Sequence, residues 1–266
     1  MDELLRAEID RRLESLHDLQ GLVPASGIRQ QESISEDMNE MISASYEPYF
    51  CGNAALYLLS SCQRCGRCCR DEASIAVSID DCRRIAKHLN MSLKRFNIEY
   101  TRPHSLPSQD VGSARLIRKE AGEHCPFYDP RLVGCGIHQV KPQVCSAALY
   151  LSKMNLLLCC ENKRFSIFPE CPSDNALRAR IRDLQEKICA DPEGVNELTG
   201  TFQSLNPDIQ LFHLLLRLKG MEIYFGRDRA VLLARKMGLM RMPTDEELRP
   251  AALLYAVILM DAEKEG

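Results

Sequence analysis

Cys62-Gln63-Arg64-Cys65-Gly66-Arg67-Cys68-Cys69 places four cysteines within eight residues. The thiols at 62, 65 and 68 repeat every third residue, so a loop wound around a centre can aim all three inward. Gly66 sits inside that winding, where a backbone at positive φ is expected. Arginine and glutamine separate the thiols and no apolar face forms, so a chance group of core cysteines fits poorly. In a reducing compartment such thiols serve metals more readily than disulfides.

Outward from this loop, the chain has the texture of an ordinary globular protein. It has 266 residues, 45% hydrophobic and 27% charged, which is enough to bury a real core beside any metal. The net charge of −3 gives no electrostatic footprint for nucleic acid. The N-terminal Met1-Asp-Glu-Leu-Leu-Arg lacks the apolar core of a signal peptide. The longest apolar run, Ala251 to Met260, falls well short of the roughly 20 residues that span a bilayer. We therefore expect a cytoplasmic protein without a membrane or nucleic-acid partner. Its thirteen cysteines are expected to act mainly as ligands or core residues.

A second constellation begins at Cys125-Pro126-Phe127. Cys135 follows after nine intervening residues, Cys145 after nine more, and Cys171-Pro172 closes the group. The candidate metal ligands are thus Cys62, Cys65, Cys68, Cys69, Cys125, Cys135, Cys145 and Cys171. Eight thiols can hold two four-coordinate zinc ions, one iron–sulfur cluster with thiols to spare, or two clusters. Two details favour iron–sulfur, most simply a [4Fe–4S] centre. The Cys-x2-Cys-x2-Cys spacing, completed by a remote cysteine before proline, is that of a bacterial cluster. Cys68 and Cys69 are adjacent, and diverging neighbours fit one tetrahedral zinc badly. Zinc remains the alternative. Arg64, Arg67 and Arg70 are expected to offset thiolate charge; docking of an acidic partner is their second role.

These residues resemble the YkgJ-type cysteine-cluster proteins, described as zinc- or iron-chelating. The family pattern of CxxCGxCC, Cys-Pro-Phe and a Cys-x-Ile-Tyr element leading through Arg-Pro to Cys-Arg has its counterparts at Cys62 to Cys69, Cys125 to Phe127 and Cys135 to Ser146. The resemblance covers about 60–172. It implies chelation through Cys62, Cys65, Cys68, Cys69, Cys125, Cys135 and Cys145, and it brings no reaction with it. Flagellin lysine N-methylases are similar in this region, which implies that some relatives modify proteins. Three positions depart from the pattern: His138 stands for tyrosine, and Lys141 and Ser146 for arginine. His138 is a possible ligand, although a hydrogen-bonded structural histidine is the commoner case.

The flanks read as helices. Leu5, Ile9, Leu13, Leu16 and Leu19 form a stripe over 2–20, a docking face onto the core or a second subunit. Residues 24–40 read as a polar surface connection, and Ala54 to Leu59 as a buried helix. Beyond the loop, Ala73 to Val77 and Ala114 to Arg118 are candidate strands. Residues 104–113 form a polar loop and Ala121-Gly122 a turn. Ser78 to Asp81 is a capping box for a helix over 79–89, and Ser92 caps another. Cys51 and Cys82 are read as core. Leu156 to Cys160 and Arg164 to Phe168 are expected to pair as a hairpin, with at least one of Cys159 and Cys160 in the core. Helices follow over 174–190, capped by Ser173, then 208–225, 227–237 and 246–263, the last opened by the Thr244 to Glu247 box with Pro250 near its first turn.

The expected fold is α+β and mainly helical. An irregular cysteine-rich strand-and-turn core at 61–172 is flanked by a helical segment at 1–60 and a helical region at 173–266. There is no glycine-rich nucleotide loop, no Cys-x3-Cys-x2-Cys and no His-Glu-x2-His. The expected function is a metal-chelating cysteine-cluster protein. It carries an iron–sulfur centre and acts in electron transfer or as an accessory to protein modification, served by a protein partner or electron donor. The alternatives are a structural zinc protein that binds partners through its helices, and a protein-modifying enzyme resembling the methylases. The sequence leaves enzymatic activity and oligomeric state open.

Overall fold

The computed structural model describes residues 3–23, 47–71, 75–103, 115–119, 123–142, 145, 150–151, 153–165, 168, 170–192, 194–196, 200, 205–225 and 227–262. The readings at 24–40, 104–113, Ala121-Gly122 and Ser146 lie outside them. The fold is mainly helical, with two small antiparallel sheets.

Two apolar cores form. The larger is built from α1 (Glu3–Asp18), α2 (Glu47–Leu59), three further helices and a C-terminal pair. The leucine stripe of α1 is buried, as its spacing requires, and a 3-10 turn Leu19–Leu22 follows it. Helix α2 is buried on almost every side: Phe50, Ala54, Ala55, Leu56 and Leu58 are all 3% exposed or less. A helix with no polar face belongs in the middle of a bundle. It lies against both α8 (Asn206–Phe225) and α10 (Asp245–Ala262). Leu211, Leu214, Leu215 and Leu218 of α8 face this core, and α9 (Arg227–Lys236) packs back on α8.

The smaller core belongs to the cysteine-rich segment. It joins Val77 of β1 (Ala76–Val77), Cys82 and Ile85 of α4 (Ile79–His88), Phe96 of α5 (Leu93–Tyr100) and Ile117 of β3 (Arg115–Ile117) to Cys125, Phe127 and Ile137. Strand β3 runs between β1 and β2 (Thr101–Pro103), with Val77 opposite Arg115 and Thr101 opposite Ile117. The edge position of β2 tolerates Pro103, which has no amide to give a ladder. Phe96, Tyr100 and Phe127 stack at centroid separations of 5.1–6.4 Å. The Ser78 capping box forms in full, and Asn90, at φ 53°, follows α4 in the left-handed region that asparagine tolerates. Cys82 is wholly buried; burial, with Asp81 beside it, pushes its thiol up to about 11.

Three expectations are corrected. The hairpin at 156–168 does not form: Lys153–Asn162 is helix α6. Periodicity cannot separate a short apolar run such as Leu156 to Cys160 from a buried helical segment. Leu156 and Cys159, three residues apart, turn together into the larger core, and Asn53 Nδ2 donates to Cys159 Sγ. Next, Ser173 does not cap α7 (Pro172–Cys189); Cys171 holds the N-cap position without a side-chain bond. Lastly, Pro250 stands at the sixth residue of α10, so the Glu246 carbonyl loses its helical donor.

At the start of α10 the Thr244 box also forms. Thr244 N and Oγ1 donate to Glu247 Oε2 at 2.8 and 3.0 Å, and Arg241 Nη1 joins them at 2.8 Å. The Arg241 bond first, and then Thr244, hold the Glu247 carboxyl down at about 2 against an ordinary 4.5. A depressed carboxylate stabilises the fold fully above its unfolded value and loses that contribution as pH falls through the folded one. Between pH 4.5 and about 2, Glu247→Gln should therefore show a shallower fall of melting temperature than wild type. Parallel thermal scans would check this, and identical acid slopes would refute it.

Candidate metal centre

The cysteine loop is shaped by its backbone. Arg64 at φ 56° and Gly66 at φ 74° both take the left-handed conformation, and between them Cys65 is turned out of any helix or strand. Helix α3 (Arg67–Asp71) then carries Cys68 and Cys69; the Cys68 side chain lies outside the described residues.

Beneath the loop lies the hairpin of β4 (Tyr128–Asp129) and β5 (Gly134–Cys135), in which Tyr128 faces Cys135. Contact is close enough that glycine is required. A Cβ on Gly66 would lie 2.7 Å from the Val133 carbonyl oxygen and 2.8 Å from Tyr128 Cε2, and one on Gly134 would lie 3.0 Å from the Arg64 carbonyl oxygen. Val133 is itself left-handed at φ 48°, an uncommon state for a β-branched residue. Two left-handed non-glycine residues, Arg64 and Val133, therefore lie in the two backbone segments that pack together here. Gly66→Ala should destabilise the protein by about 1–3 kcal/mol, the usual cost of a forced backbone. It should also lower metal content relative to wild type. Unfolding curves and metal assays on the same preparations test both.

Backbone bonds tie Cys125 to this knot. Cys125 N donates to the Cys69 carbonyl at 2.9 Å, Tyr128 N to that of Cys125 at 2.8 Å, and Gly136 N to that of Phe127 at 2.7 Å. Cys145 N returns to the Pro142 carbonyl at 3.0 Å. Cys69, Cys135 and Cys145 are half-buried against the smaller core, and Cys125 is one of its members. Cys65 is half-buried and Cys62 is exposed.

Cys171 approaches from the helical side. The start of α7 and the residue before its N-cap grip the loop twice: Ser173 Oγ accepts from Gln63 N at 2.9 Å, and Glu170 forms an ion pair with Arg67. Below Cys171, Asp174 is wholly buried. It accepts from Tyr150 Oη at 2.8 Å, Phe168 N at 2.9 Å and Arg178 Nε at 2.9 Å. Burial, with this carboxylate adjacent, pushes the Tyr150 phenol up. Phe168 O in turn accepts from Cys171 N at 2.8 Å. Sequence reasoning missed Glu170, Ser173 and Asp174. The only signal was their position beside Cys171-Pro172, and a helix cap explained it just as well.

The arginines of the loop have architectural tasks too. Arg67 takes Glu170, the Arg70 guanidinium lies 6.0 Å from the Tyr128 ring centroid, and the Arg70 carbonyl accepts from Lys119 Nζ at 3.0 Å. His138 follows Cys135 in a short 3-10 helix, His138–Val140. Its Nε2 is covered and, among the described residues, has no hydrogen-bond partner. Burial, then Lys141 and Arg64, hold its pKa below the ordinary value.

Among the described residues no three His, Cys, Asp or Glu side chains already form a coordinating group. The chemistry of the donors nevertheless fits a soft or borderline metal: thiols from four chain segments, and a covered imidazole nitrogen with no partner. No helix among the described residues is long and apolar enough to cross a membrane.

Comparison with known proteins agrees with this chemistry. Residues 61–170 match the family model named CxxCxxCC, described as a "putative zinc- or iron-chelating domain". Searches of the curated proteins and of the solved structures return no match.

Proposed function

We propose, from the premise that residues 61–170 form a CxxCxxCC domain, that this domain holds an iron–sulfur centre and passes electrons or assists a protein-modifying partner in the cytoplasm. The observation that carries the proposal is the left-handed winding at Arg64 and Gly66 inside a Cys-x2-Cys-x2-Cys loop whose backbone is bonded close to two cysteines that precede proline. One of them, Cys125, is tied to Cys69. The other, Cys171, is carried by a helix bonded to the loop at Gln63.

A bound cluster would supply one-electron chemistry at a potential set by its surroundings. The residues of this chain would do the rest. Cys62, Cys65, Cys68, Cys69, Cys125, Cys135, Cys145 and Cys171 supply the thiolates. Arg64, Arg67 and Arg70 moderate their charge, and the exposed side of the loop at Cys62 is where a protein electron donor would come near. The helical segments at 1–60 and 173–266 serve as the frame.

A second reading, structural zinc, draws on the unpartnered His138 nitrogen, since zinc takes mixed sulfur and nitrogen sets readily. Reductive titration of anaerobically purified protein separates the two. Reversible bleaching of a visible absorption is the result expected of the first reading. A colourless protein that holds zinc and takes up no electrons would replace it with the second.

A further inference from the structure

Among the described residues of the cysteine-rich segment, Asn97 Oδ1 and His138 Nε2 are covered side-chain atoms without a partner, and of the two only the imidazole nitrogen is a common metal ligand. Buried polar atoms normally find a partner, and each exception needs a reason. The Nε2 of His138 is covered and unpaired. The nearby groups that influence it are Lys141 and Arg64. Both are cations without acceptor capacity, so neither can take a proton from an imidazole N–H. The neutral ring has one nitrogen carrying a lone pair, which is the form that binds metals.

Placement points the same way. His138 lies three residues after Cys135, directly after Ile137, which is 4% exposed in the smaller core. Cys135 and Cys145, on either side of it in the chain, pack against that same core. Arg64, whose charge it feels, stands between Cys62 and Cys65. A covered, unpaired nitrogen on the segment between two candidate thiol ligands is a donor a metal would use. We infer that His138 Nε2 is a metal ligand, giving the thiolate centre one nitrogen donor. Zinc accepts such a donor, and so does iron in clusters where imidazole replaces thiolate. The inference rests on the metal-chelating function proposed above.

X-ray absorption at the edge of the resident metal tests it, on the full chain purified anaerobically, as wild type, His138→Ala and His138→Gln. The wild-type spectrum should contain a nitrogen shell at about 2.0 Å beside sulfur at about 2.3 Å. Both variants should lose that shell. In chelator competition they should hold the metal more weakly by at least the roughly 10–100-fold that loss of a supporting partner costs. The wild-type spectrum decides even if a variant fails to fold. A sulfur-only shell in the wild type overturns this inference, assigns Nε2 to a bound water, and leaves the metal centre standing. Wild-type protein holding neither iron nor zinc overturns both.

Discussion

Asp174→Ala is expected to destabilise the protein by about 3–5 kcal/mol, the usual cost of removing one partner from a buried charge pair. Asp174 is 0% exposed and Arg178 9%. Without the carboxylate, the buried Arg178 guanidinium loses its bond to Asp174, and the Tyr150 hydroxyl and Phe168 amide lose their bonds to it. An exposed pair of the same helix is the control. Lys187 and Asp183 lie 2.7 Å apart at 57% and 64% exposure, and Asp183→Ala should cost less than about 1 kcal/mol. Denaturant midpoints measured side by side would reveal the contrast; equal shifts would show that the Asp174 network carries no special stability. The loss should reach the cysteine loop, because Asp174 also fixes Phe168, whose carbonyl holds Cys171.

Cys65→Ser carries the second large effect: loss of the metal and of much soluble protein. Cys65 is framed by Arg64 and Gly66, both braced against the β4–β5 hairpin, so its direction is set before any metal arrives. A serine hydroxyl at that position is a poor donor to a soft centre. Structural metal sites can contribute about 10–16 kcal/mol of apparent binding energy in small domains, so the folding consequence is large. Cys82→Ser and Cys189→Ser should retain the metal, the first being in the apolar core and the second at the exposed end of α7. Equal metal content in all three variants would remove Cys65 from the ligand set.

Much of this arrangement was legible from local pattern. The α1 stripe, the two capping boxes and the strands around Val77 and Leu116 depend on residues close in sequence, where periodicity and side-chain chemistry act directly. Cys82 was readable as core because it falls on an apolar stripe. The α6 segment was misread because five apolar residues carry no distinguishing period; its helicity depends on packing against α2 and Phe165. The contact of Ser173 with Gln63 spans 110 residues, and that of Tyr150 with Asp174 joins a turn to a helix. Neither leaves a local trace. His138 read as one of three departures from a pattern and as a possible ligand; the covering of its Nε2 is what the structure adds.

Elemental and acid-labile sulfide analysis per chain, on anaerobically purified wild-type protein, tests the central claim most directly. About four irons and four sulfides per chain are the result this account predicts for one [4Fe–4S] centre. A folded chain containing neither iron, sulfide nor zinc would contradict it.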